Sequence, residues 1–287
     1  MSIKTIPQTI IDISQDASFT SFSNSLKRRR ERASELKLAT PKLFHWTKDK
    51  KDSRDYIYQL RSTSNISNVD LRPFCTTIED QGNLGSCTGQ AIAGAIEYLN
   101  KKNGKINDVS RLFIYYWERV MLGTVNYDSG AYIRDGIKSF FRYGAPVERL
   151  WPYIISRFRN KPTIAAMNDG ARRRVMLYER ATDFNAVKNA LSNGFPVTIG
   201  FYVYTSFMSR TVSTTGMMPY PNTARERFLG GHAVLLVGYD DTTQRFIARN
   251  SWGSRWGDSG YFYMPYQVIQ NTSMSDDFWV IKTVNNP

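Results

Sequence analysis

The apolar residues of this chain change period once, and that change limits the fold more than any other feature. Up to about residue 192 they recur at helical spacing. Ala91, Ile92, Ala95, Ile96 and Leu99 mark a helix over Cys87 to Leu99. Leu112, Phe113, Tyr116 and Trp117 mark a second over Ser110 to Leu122, with Ser110 as N-cap. A third runs from Ala131 to Tyr143 and stops at Gly144-Ala-Pro146, and a fourth from Asp183 to Ser192 stops at Gly194. From Pro196 onward the pattern is that of strands, over 196–204, 232–239, 244–250 and 260–264, with a turn at Asp240-Asp241. Helices first and strands later describe an α/β or α+β chain whose two halves are segregated.

A second division falls near residue 68. Residues 1–67 hold 13 Lys and Arg against 7 Asp and Glu, so about half of the chain's net charge of +13 lies in its first quarter. Within this arm, Ile6 to Ile13 reads as a short strand, Ser23 to Leu38 as a thinly apolar helix, and Ser62 to Ser67 as a polar linker. The positive balance favours acidic partners, whether nucleic acid or an acidic surface, and acidic or phosphorylated substrates by steering. No run approaches the roughly 20 apolar residues of a membrane span, and no transmembrane segment is expected. The first 20 residues do not form an ordinary secretory signal. Only two cysteines, Cys75 and Cys87, and two histidines, His45 and His232, are present. That count excludes a disulfide scaffold and leaves little for a metal site, and it is compatible both with a reducing compartment and with export by another route. No cofactor and no metal are expected.

Four segments carry chemistry. Cys87 stands where the Gly-containing run Gln81-Gly-Asn-Leu-Gly85-Ser86 enters a helix, and a helix start favours a thiolate. Gly230-Gly231-His232 opens an apolar strand. Asn250-Ser-Trp252-Gly253 follows the next strand, and Gln81 precedes the cysteine by six residues. Together they offer a nucleophile, a base, an orienting amide and an oxyanion donor.

This set of motifs resembles the papain-like cysteine peptidases, in particular a disulfide-free branch of bacterial and viral type, over residues 68 to about 280. The separations of 145 residues from Cys87 to His232 and 18 from His232 to Asn250 fit that pattern. The resemblance implies an α+β, two-lobed fold. A helical left lobe would face an antiparallel, barrel-like right lobe, with the active site between them. It implies Cys87, His232, Asn250 and Gln81 as catalytic residues, and a peptide or protein substrate held in extended conformation. Gly85, Ser86, Ser129, Gly130, Ala131, Gly230, Gly231 and Trp252 would line its path. The chain departs from the family at Thr88, where Trp is usual, at the absent left-lobe disulfide partners, and at Gly130-Ala131 in place of a Gly pair. Cys75 reads as a buried thiol.

Two domains are therefore expected, an N-terminal basic arm over 1–67 and a catalytic domain over 68–287. The arm's position suggests a propeptide-like or occluding segment, an intramolecular inhibitor anchored by Leu43-Phe44-His45-Trp46, with Asp55 to Ser67 in or beside the groove. His45 is expected in the docking patch rather than in the active site. The alternatives are a catalytically silent peptide- or ligand-binding protein on the same fold, and a nucleic-acid-associated protein using its basic arm.

Overall fold

The computed structural model describes residues 44–61, 66–105 and 108–285, and residues 43–287 form one compact unit. The expected strand at Ile6 to Ile13, the helix at Ser23 to Leu38 and most of the 62–67 linker lie outside the described residues.

The helical half is built on α1 (Cys87–Lys102), α2 (Arg111–Leu122) and α3 (Ile133–Tyr143). Every residue of α1 from Cys87 to Asn100 is buried. Its small side chains make this possible, since a Cβ at Gly89 would press on the Arg111 carbonyl of α2. The Ser110 hydroxyl accepts from the Phe113 N–H, as the N-cap reading requires. Ile92, Ile96, Leu112, Phe113, Ile137 and Phe140 close this core, all 1% exposed or less. Burying each such side chain is worth about 1.5–3 kcal/mol.

After the short α4 (Ile164–Gly170) the chain enters the sheet half. Its elements are β1 (Asn68–Asp70), β2 (Arg174–Ala181), α5 (Phe184–Ser192), β3 (Val197–Tyr204), α6 (Arg210–Thr215), β4 (Phe228–Asp240), β5 (Arg245–Arg249), β6 (Tyr261–Pro265), α7 (Tyr266–Gln270) and β7 (Ser275–Asn285). The strand order is β2-β7-β3-β4-β5-β6, with β1 also pairing β4. All pairings are antiparallel.

The expected barrel-like right lobe is not what forms. The sheet is open, because its two edge strands bond to other segments and not to each other. Beyond β2, Tyr58 donates to the Arg180 carbonyl at 2.9 Å and Arg180 donates to that of Tyr56 at 2.7 Å. Beyond β6, Tyr263 donates to the Gly216 carbonyl at 2.8 Å. A barrel needs its last strand to pair with its first, and here both edges are already covered in the way that edge strands require. No helix among the described residues is long and apolar enough to cross a membrane.

Candidate active site

A hairpin register brings the strand-borne residues together. β4 pairs with β5 so that Leu235 faces Arg249, three residues past His232 and one before Asn250. Asn250 thus leaves β5 beside His232, and its Oδ1 lies 2.9 Å from His232 Nε2. The same Oδ1 accepts the Ser251 N–H at 2.9 Å, which fixes the amide as acceptor toward the imidazole. The indole of Trp252 lies over the ring, with centroids 5.0 Å apart and planes 32° apart. His232 and Asn250 are 0% and 3% exposed.

Cys87 opens α1 from the other half. The backbone N–H groups of Ala233, the residue after His232, of His45 and of Thr88 act on its thiol and lower it. Burial pushes this thiol up to about 11, with the nearby Glu118 charge adding to the rise. Glu118 is itself wholly buried, hydrogen-bonded to Thr88 at 2.8 Å and pushed by burial up to about 8. A polar Thr88–Glu118 pair therefore stands where the family usually carries Trp.

Gln81 is buried under the same loop. Its Nε2 donates to the Leu84 carbonyl at 2.9 Å, and its Oε1 accepts from the Ser251 hydroxyl at 2.7 Å. The amide nitrogen's side is thus turned to the Cys87 loop. Ser86 shares a 2.6 Å hydrogen bond with Tyr153, whose hydroxyl also reaches the Gln81 carbonyl. Ser129 bonds to Thr124 and to the Gly130 carbonyl. Gly130 and Ala131 form one wall of the cleft, and Gly230 and Gly231 form the opposite one.

Between these walls runs a piece of the chain itself. Phe44 to Thr47 is extended. Trp46 donates to the Gly231 carbonyl at 2.8 Å, Thr47 to that of Ala131 at 3.1 Å, and Ala131 donates to that of His45 at 3.2 Å. The His45 backbone acts on the Cys87 thiol, and its ring lies against Gly85, so the docked segment itself enters the site. A Cβ at Gly130, which holds φ +69, would run into the His45 carbonyl, and one at Gly231 into that of Trp46. Phe44 meets His232 and Trp252 edge-on. Trp46 is 4% exposed, against Gly200 and Tyr202, and its indole N–H donates to Asp277 at 3.1 Å. The groove is crossed by 44–47 and not by 55–61, whose Tyr56–Tyr58 portion borders β2 instead. Trp46 is 4% exposed whereas Tyr56 and Ile57 stay 70% and 44% exposed, so the larger aromatic burial lies with 44–47.

Sequence reasoning missed the groups that seat this segment. Asp49 takes the Trp279 indole N–H at 2.9 Å, and its own backbone N–H donates to Asp277 at 2.7 Å. Arg180 bonds to Asp276 and Asp277, and Arg134 to Asp55. Aspartates scattered through the chain give no spacing signal. Both Cys75 and Cys87 are free thiols, and Cys75 is buried as expected.

Residues 66–280 match the family described as papain family cysteine protease, and the chain belongs to that family. It is 39% identical over 275 residues to an uncharacterized peptidase C1-like protein of Acanthamoeba polyphaga mimivirus, spanning 85% of this chain and 88% of that one. Among solved structures it is similar to xylellain, a cysteine protease from Xylella fastidiosa, with a TM-score of 0.78 and 39% identity over 84% of this chain and 96% of that one. Digestive procathepsin L 3 of Tenebrio molitor shares the fold at 20% identity and a TM-score of 0.64, covering 78% of this chain and 73% of that one. The chain is accordingly a papain-like cysteine peptidase, and two cysteines suit the disulfide-free branch.

Proposed function

We propose that this peptidase works by a Cys-His-Asn mechanism and is held shut by residues 44–47. The observation that carries the catalytic part is the 2.9 Å His232–Asn250 bond beside a cysteine at a helix start. Cys87 is the nucleophile. With the cleft open, water returns to the thiol, and the helix terminus and a neighbouring imidazolium favour the thiolate. The thiolate attacks the peptide carbonyl, and the Cys87 N–H with Gln81 stabilises the oxyanion. His232 protonates the leaving amine, then takes a proton from the water that hydrolyses the acyl-enzyme. Asn250 fixes the imidazole, and Trp252 keeps water from that bond. Asn250→Ala should lower kcat/KM by up to about 100-fold, the scale of a misplaced reacting group, while Cys87 stays alkylable. Unchanged kcat/KM would remove Asn250 from the mechanism.

The regulatory part rests on the same backbone hydrogen bonds that an extended peptide would use at Ala131 and Gly231, here made by the chain's own segment. That seating is pH-sensitive. Burial, and then the Asp277 charge, push Asp49 up to about 7 despite Trp279, Arg134 and Arg180. A carboxyl whose docked value is raised binds a proton on docking. Its contribution is full below the free carboxyl's range near pH 4 and is lost as pH rises through about 7. Exchange of the Trp46 and Thr47 amides, corrected for intrinsic base catalysis, should therefore accelerate between pH 4 and 7, and Asp49→Asn should flatten the profile. A wild-type profile that is already flat would contradict this seat.

A further inference from the structure

We infer that Asp128 is a positioning residue that ties the loop before Cys87 to the cleft wall through Tyr115, a role that rests on the peptidase reading above. The Gly85 N–H, two residues ahead of Cys87, reaches both carboxylate oxygens of Asp128, at 3.1 and 3.0 Å. These partners are 43 residues apart in the chain. The Tyr115 hydroxyl donates to Asp128 Oδ1 and accepts the Gly130 N–H at 3.1 Å. One carboxylate and one phenol thus span Gly85, on the nucleophile's loop, and Gly130, on the wall that holds an extended chain.

The bridge is built to stay in place. Tyr115 is fully buried, and burial followed by the Asp128 charge holds its phenol far above the ordinary range, so it remains a donor. The Arg119 guanidinium lies over its ring, 4.3 Å from the centroid. Arg119, also fully buried, donates to the carbonyls of Val125, Tyr127 and Phe158, which fixes the loop leading into Asp128. No disulfide does this work, since both cysteines of the chain are free thiols. The register between nucleophile and wall therefore depends on hydrogen bonds to a charged acceptor, which are the stronger kind. A loss of register of about 1 Å is enough to slow chemistry on the order of 100-fold.

The test uses the full chain carrying Trp46→Ala, so that the cleft is open, with Asp128→Ala, Tyr115→Phe and the double variant. Each single change should lower kcat about 100-fold. The double should be no worse than about threefold below the weaker single, because the two residues act as one unit. Asp128→Ala should also speed amide exchange at Gly130, to which Asp128 makes no bond. Multiplying losses, or lowered thermal stability with kcat unchanged, would overturn the role. If the Trp46→Ala parent itself hydrolyses no peptide, the peptidase reading fails, and Gly130 exchange still decides the bridge. Unaltered exchange there would refute it.

Discussion

Trp46→Ala is expected to raise the alkylation rate of Cys87 and the turnover of small peptide amides together, by a factor on the order of 100 to 1,000. The indole is 4% exposed, packs on Tyr202 and Gly200, and gives its N–H to a wholly buried Asp277. Truncating a buried Trp to Ala removes about 3–5 kcal/mol. Nearly all of that stabilises the seated segment, because the backbone bonds to Gly231 and Ala131 have water as an alternative once it lifts. Each 1.4 kcal/mol changes the open population tenfold. The alkylation profile should also move to lower pH. Burial pushes the thiol up to about 11, and lifting the segment that lies in the site would return water to it. A Trp46→Ala chain that alkylates no faster than the wild type would mean that Cys87 is reached without displacing 44–47.

Cys87→Ala, placed in that open background, is expected to abolish peptide hydrolysis, with a loss on the order of 10⁵ or more. Removing the nucleophile of a covalent mechanism removes the step itself, and losses of about 10⁶ are known where a nucleophile and its base act as a unit. Cys87→Ser is a sharper control. It keeps the shape at the start of α1 but replaces a thiol by a hydroxyl that His232 would have to deprotonate in full, so it should be almost as inactive. The wholly buried site tolerates the smaller atom, and thermal unfolding should change little. Turnover in a steady-state peptide assay by the purified Ala variant, above that of the buffer, would locate the chemistry elsewhere.

Much of this was legible in the sequence because it was local or paired. The helices at 87, 110, 131 and 183 announced themselves by period, cap and terminating Gly. Strands β3 to β6 announced themselves by apolar alternation between turns. The residues proposed for catalysis could be read because each sits at a motif whose spacing is constrained by one helix start and one hairpin. What stayed hidden depended on distant partners. β7 opens with Ser-Asp-Asp, and Asp277 holds φ +58, so its first turn reads as loop. β2 is half exposed and carries Arg and Glu, which masks it as a surface segment. The open sheet follows from which segments cover its edges, and 56–58 and 216–218 carry no strand period to reveal that. The net charge of +13 likewise concealed that the seat of Trp46 contains Asp276 and Asp277 beside Arg180. Asp128 adjoins Ser129 and Gly130 of the expected substrate path, but its bond to Gly85 joins two loops that no periodicity connects.

One thiol, Cys87, is proposed both as the reactive group and as the group that residues 44–47 cover. Peptide mapping by mass spectrometry after timed exposure of the full chain to a small epoxide or iodoacetamide tests it directly, run on wild type and Trp46→Ala in parallel. Label is expected at Cys87 in both, at least about 100 times faster in Trp46→Ala, with the buried Cys75 unlabelled throughout. Equal Cys87 rates in the two proteins, or label that gathers first at Cys75, would contradict it.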